Sequence, residues 1–166
     1  MANFEKPYSF NIVLNSYLAS PPLDIGTTND KSYYFNWSNI PKGKYEMTWS
    51  YRGTRQTTAT GDDSPQVFLT FGSTPASYLA GGTTTNSSIT NYIGTLQTNT
   101  HINADLYFYT TQYDNCPIFL ESVPINNVIR VQLFDFDFIT PYVSSVVGNE
   151  PASPYVMTLH FEYKGY

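Results

Sequence analysis

Residues 32–52, SYYFNWSNIPKGKYEMTWSYR, constrain the fold more than any other stretch of the chain. Two alternating runs flank a Pro-Lys-Gly-Lys break. In the first, Tyr33, Phe35 and Trp37 share one face, opposite Ser32, Tyr34, Asn36 and Ser38. In the second, Tyr45, Met47, Trp49 and Tyr51 oppose Lys44, Glu46, Thr48, Ser50 and Arg52. A period of two puts every second side chain on the same side of a strand. Pro41 has no N–H to give to a ladder and Gly43 accepts a positive φ, so the chain turns between them. The pattern predicts an antiparallel hairpin with a loop of about six residues. Both tryptophans of the protein lie on its apolar face, which makes that face core. The turn at residues 39–44 and the loops around it remain open to partners.

The same period recurs along the chain. Residues 8–14 set Tyr8, Phe10, Ile12 and Leu14 against Ser9, Asn11 and Val13. Val67, Leu69 and Phe71 mark a short strand, and Ile129, Val131 and Leu133 oppose Arg130 and Gln132 in another. The last run is the cleanest after the first: Tyr155, Met157, Leu159, Phe161 and Tyr163 face away from Val156, Thr158, His160, Glu162 and Lys164. Residues 89–97 alternate weakly around Gly94, as an edge or bulged strand does. Residues 105–110 (DLYFYT) carry aromatics on both faces, and residues 117–121 suit a short edge strand. Beyond Leu133 the phase flips, with Phe134, Phe136 and Phe138 opposite Asp135 and Asp137, which signals a bulge or an exit from the sheet. Residues 20–30, with a double proline, and 55–65, with Gly-Asp-Asp-Ser-Pro, read as connections. Residues 72–88 read as an exposed Gly/Thr/Ser-rich loop.

No apolar spacing of three and four persists over three turns, so no helix is expected. Aromatics make up 17% of the 166 residues, and 10 Gly and 11 Pro supply turns, a composition that suits an all-β chain. Eight strong runs can bury their inward faces as two four-stranded sheets joined as a Greek key. We therefore expect a single jelly-roll β-sandwich of about eight antiparallel strands, one domain over residues 1–166. The strands near Tyr8 and Asn127 carry the most continuous apolar faces and are expected to be central. An immunoglobulin-type sandwich is the competing topology, and its Cys…Trp…Cys arrangement is missing.

Reactive groups are sparse. The single cysteine, Cys116, permits no intrachain disulfide and suits a reducing compartment. His101 and His160 lack metal-ligand spacing. Asp62-Asp63 sits in a turn, and Asp135 and Asp137 alternate with phenylalanines as a solvated face would, so calcium binding and glycoside hydrolysis are the lesser readings. No G-x-S-x-G occurs. We expect no catalytic residue, no metal and no cofactor. A net charge of −5 with scattered basic residues excludes a counterion-releasing stripe for nucleic acid. No apolar run approaches about 20 residues, so membrane insertion is not expected, and residues 1–10 lack the pattern of a secretory signal. Asn36-Trp37-Ser38 and Asn86-Ser87-Ser88 match the glycosylation sequon, a triplet frequent by chance in so Asn- and Ser-rich a chain. Only 13% of residues are charged, so the surface relies on Thr, Asn, Ser and Tyr, a composition suited to burial against other proteins. Tyr107, Tyr109, Phe134, Phe136 and Phe138 are the candidate contacts, to a neighbouring subunit or to the second sheet. A carbohydrate- or receptor-binding module would use the same rings as a platform.

Four segments carry a family resemblance. These are F-x-I-x-L-N-S at residues 10–16, Y-x-F-N-W-S-x-I-P-K-G-K-Y-E-M-T-W-S-Y at 33–51, N-N-V-I-R-V-Q-L at 126–133, and Y-V-M-T-L-H-F-E at 155–162. Together they resemble small single-jelly-roll virion proteins of large eukaryotic DNA viruses and their polinton- or virophage-like relatives. The resemblance covers the first third and both ends of the chain. It implies a minor capsid, cement or penton-type protein, made in the host cytoplasm and resident in the virion. Such a protein acts by assembling with itself as a homo-oligomer and with other capsid proteins. It carries no catalytic residue over to this chain.

Overall fold

The alternating runs are strands in the computed structural model, which describes residues 8–20, 30–56, 65–70, 76–79, 87–100, 105–109, 117–134 and 155–165. In chain order they are β1 (Ser9–Asn15), β2 (Asp30–Tyr34), β3 (Lys44–Gln56), β4 (Gln66–Thr70), β5 (Ala76–Leu79) and β6 (Ser87–Thr90). Then follow β7 (Tyr92–Thr95), β8 (Gln97–Thr100), β9 (Asp105–Tyr109), β10 (Ile118–Leu120), β11 (Val128–Phe134) and β12 (Tyr155–Gly165). The fold is all-β: the described residues otherwise hold two one-turn 3-10 helices, Ser16–Leu18 and Trp37–Asn39.

Two antiparallel sheets form a β-sandwich. The first runs β1-β12-β3-β9-β8, with β10 also paired to β3; the second runs β2-β11-β4-β7. The pairing is nested: β1 meets β12, β2 meets β11, β3 meets β9, and β4 meets β7. Two further ladders, β12 with β3 and β11 with β4, knit these pairs into sheets. The inner faces meet in one core. Ile12, Leu14, Tyr45, Met47, Trp49 and Leu159 enter it from the first sheet, and Tyr33, Val67, Leu69, Ile129, Val131 and Leu133 from the second. Every one of these sits at an alternate position of its run, as the period-two reading requires.

Aromatic contacts close the two ends of the sandwich. At one end Phe10 stacks on Phe161 at 4.9 Å, and the Trp37 ring meets Phe35 at 4.7 Å and Phe161 at 5.6 Å, both edge-on. Tilted and offset pairs of this kind are the favoured geometry for ring quadrupoles. At the other end Tyr155 stacks on Tyr51 at 4.9 Å, and the Tyr33 hydroxyl donates to that of Tyr155 across the sheets at 2.9 Å. Burial pushes the Tyr33 phenol up to about 12 and the Tyr155 phenol upward as well, so both stay neutral at ordinary pH. On the outer face of the second sheet, Asp30 accepts a bidentate Arg130 pair and a bond from Gln132 at 3.2 Å. The Arg130 hydrogen bonds hold the Asp30 carboxyl below its usual range.

Several expectations change. Residues 33–37 and 45–51 are not a hairpin: β2 pairs with β11 in the second sheet while β3 pairs with β12 in the first. Alternation reports which side of a strand meets the core, and strands on facing sheets show the same alternation as strands in one sheet. Two four-stranded sheets were expected, and the first is instead widened to six strands by β8 and β10. The strand near Asn127 is central, between β2 and β4, but β1 lies at an edge of the first sheet. Residues 72–88 contain β5 and the start of β6, which form a separate antiparallel ribbon. The weak run at 89–97 is divided by Asn91 at φ 72, and its β7 is an edge strand with a register shift against β4. The phase flip expected after Leu133 lies outside the described residues.

Candidate functional site

The crossing from one sheet to the other builds a groove at the Trp37 end of the sandwich. The Asn36 side chain accepts the Ser38 N–H at 3.0 Å and starts the one-turn helix at Trp37. Ile40 N–H returns to the Trp37 carbonyl at 3.0 Å and closes it. Facing this turn, residues 121–127 connect β10 to β11. Asn126 ties the two segments together: its carbonyl accepts the Trp37 Nε1–H at 2.9 Å, and its Oδ1 accepts the Val128 N–H at 3.0 Å. Phe35 N–H adds a bond to the Asn127 carbonyl at 2.8 Å. Between the segments lies a solvent-open cavity of about 490 Å³, walled by Trp37, Ile40, Val123, Pro124 and Ile125, with Lys42 and Asn127 among its polar lining.

The rim is set by a glycine. Gly43 has φ 146, a conformation that side chains with a Cβ rarely adopt. A Cβ there would lie 2.6 Å from the Gly165 carbonyl oxygen and closer still to the Tyr163 ring. The Tyr45 hydroxyl bonds the Pro41 carbonyl at 2.7 Å, and Lys44 pairs with Glu121 at 3.0 Å, so the turn is fastened on both sides. Beside the groove stand three exposed apolar side chains, Ile125 at 92% exposure, Tyr34 at 75% and Val128. Tyr34 and Val128 face each other across the β2–β11 ladder. The indole of Trp37 lines the groove but is only 5% exposed, so most of it belongs to the core. Chemically this is an apolar trough with one ammonium group, of a size to seat an apolar side chain or a short extended segment.

Of the five aromatic contacts expected from the sequence, the three within the described residues fall elsewhere. Phe134 is half-buried on the outer face of the second sheet, edge-on to Phe68 at 4.8 Å. Phe68 also meets Tyr92 at 5.7 Å. Tyr107 and Tyr109 occupy alternate positions of β9, opposite Thr54 and Arg52 of β3 on one side and Asn99 and Gln97 of β8 on the other. Phe136 and Phe138 lie outside the described residues. The turn at 39–44, marked from the sequence as open to partners, does border the groove through Ile40, Lys42 and Gly43. Its second wall, residues 122–127, carries no alternating run to announce it. Ile125 between Pro124 and Asn126 was its signal, an apolar residue in a turn with no strand to bury it.

Among the described residues no three His, Cys, Asp or Glu side chains gather as a metal site would require. His160 is exposed, its Nδ1 2.6 Å from Asn11 Oδ1. His101, Cys116, Asp62, Asp63, Asp135 and Asp137 lie outside the described residues, as does the sequon residue Asn86. Asn36 of the other sequon is exposed, with its side chain engaged in the cap described above. Comparison of the chain with protein-family models, characterised proteins and solved structures finds no match.

Proposed function

We propose that this chain is a structural virion protein, a minor capsid, cement or penton-type component built as a single jelly roll. It assembles with copies of itself and with other capsid proteins. The nested strand pairing carries the reading. Eight principal strands, β1, β2, β3, β4, β7, β9, β11 and β12, pair first with last and inward from there. A long hairpin of four strand pairs, rolled so that β12 meets β3 and β11 meets β4, supports a jelly roll with two layers of four principal strands. Jelly rolls serve in capsids, lectins and cupins, so the choice among them rests on the surface and not on the fold. Few charges, exposed Ile125, Tyr34 and Phe119, and the open trough beside Trp37 favour protein contact. Residues 10–16, 33–51, 126–133 and 155–162 add the family resemblance.

Quantitative mass spectrometry of purified particles from cells expressing the chain tests this. The chain should co-purify in a fixed ratio to the major capsid protein and stay bound through a high-salt wash. Recovery only outside particles overturns the proposal.

A further inference from the structure

We infer that β1 is a seam at which two copies of the chain join edge to edge, antiparallel about a two-fold axis. The inference rests on the assembly reading and names the surface that carries it. Tyr163 N–H bonds the Tyr8 carbonyl at 2.8 Å, and the register sets Phe10 against Phe161, Ile12 against Leu159 and Leu14 against Met157. Residues that exchange both main-chain bonds alternate along an antiparallel ladder. Tyr8, Phe10, Ile12 and Leu14 therefore direct their backbone groups to β12. The N–H and C=O groups of Ser9, Asn11 and Val13 point the other way, along the outer edge. All three residues are exposed, Val13 at 62%, and among the described residues no strand pairs with that edge.

Proteins guard such edges with charges, prolines, bulges or extreme shortness. Among the described residues, the other edges of the two sheets are guarded. β2 carries Asp30 and Lys31, and Ser20 bonds its outer side at Ser32 in both directions, at 2.8 and 3.1 Å. β7 has four residues and a register shift, β8 has four residues, and β10 has three. β1 runs seven residues, SFNIVLN, with no charge, no proline and an unbroken register. Among the described residues it is the longest edge strand of the two sheets and the one left open.

A second copy of β1 matches that edge in phase and in charge. A two-fold axis through Asn11 sets Asn11 against itself and Ser9 against Val13 of the other copy. Each of these outward residues then meets an outward residue, giving about six main-chain bonds. A symmetric seam places its central side chain opposite its own copy, where a charge would repel itself. The central residue here is a neutral amide, both donor and acceptor. The first sheet thereby continues across the axis.

Light scattering of the full chain over a concentration series, with circular dichroism and amide hydrogen exchange, tests the seam. The wild-type chain should reach the mass of a dimer or an even multiple, with the Ser9, Asn11 and Val13 amides gaining protection as concentration rises. Val13→Pro removes only an outward N–H, and its predecessor Ile12 is already extended, so the fold should survive while pairing is lost. Asn11→Asp keeps an acceptor for His160 and sets two carboxylates face to face, which should weaken pairing tenfold or more at pH 7. Masses equal among all three proteins, or those amides protected in a monomer, overturn the seam. If oligomers persist unchanged in both variants, the seam falls and the assembly reading stands. If β1-dependent dimers form but the chain is absent from particles, the assembly reading falls and the seam stands.

Discussion

Two glycines near the end of the sandwich form a matched pair. Gly43 and Gly165 both have positive φ, 146 and 107, yet a Cβ at Gly165 would meet nothing within 4 Å. Gly165→Ala therefore carries only the conformational cost of that backbone region, about 1–3 kcal/mol. Gly43→Ala carries the same cost and a collision with the Tyr163 ring and the Gly165 carbonyl. The carbonyl belongs to β12, where Gly165 is paired with Lys44. The ring is held edge-on against Tyr45 at 5.4 Å. Relieving such overpacking costs roughly 1–3 kcal/mol more. With a urea slope of about 2 kcal/mol per molar, the Gly43→Ala midpoint should fall about 0.5–1.5 M below that of Gly165→Ala. Tryptophan fluorescence reports the transition, because Trp37 and Trp49 are both buried. Equal midpoints for the two variants would refute the idea that close approach of Tyr163 is what demands a glycine in this turn.

Trp49, 1% exposed at the centre of β3, should lose about 3–5 kcal/mol on replacement by alanine, seen as a lower urea midpoint or as loss of the β signature in circular dichroism. Folded protein retaining full stability would mean that Trp49 is not core. The raised Tyr33 pKa makes a pH prediction: the native state holds its phenolic proton where the unfolded chain has released it, so the contribution is complete below pH 10 and is lost as pH climbs from 10 to about 12. Tyr33→Phe should flatten that alkaline decline in a pH series of thermal melts. Ile125→Asp alters a side chain that is 92% exposed, so the unfolding free energy should change by no more than about 0.5 kcal/mol. Retention in washed particles should fall if the Trp37 groove seats a capsid partner.

Much of this fold is legible in the sequence because burial imposes a period. The alternation assigns Tyr45-Met47-Trp49-Tyr51 and Tyr155-Met157-Leu159-Phe161-Tyr163 to the core residue by residue; eight of the nine are buried and Tyr163 is half-buried. Partnership leaves no comparable mark. Tyr33 and Tyr45 look like neighbours across a turn, yet the two strands belong to facing sheets joined by the helix at Trp37–Asn39. Strand position is equally hidden: β1 has an apolar inner face as continuous as that of β11, and only pairing separates an edge from a centre. The groove was half visible. Pro41 and Gly43 announce a turn, but its opposite wall arrives from 89 positions away through the Trp37–Asn126 bond, and no local pattern encodes that meeting.

Nested pairing also has a temporal consequence. Asn11 and His160, side by side on β1 and β12, are 149 positions apart in the chain. Folding rate falls as contacting residues lie farther apart in sequence, because the loop must close before the contact is gained. On the ribosome β1 emerges before β12 and must wait for it, with the edge that β12 will cover bare until then. A nascent chain in that interval is exposed to premature strand pairing with its neighbours on the same message. Timing, as much as packing, decides whether each copy closes on itself before it meets another.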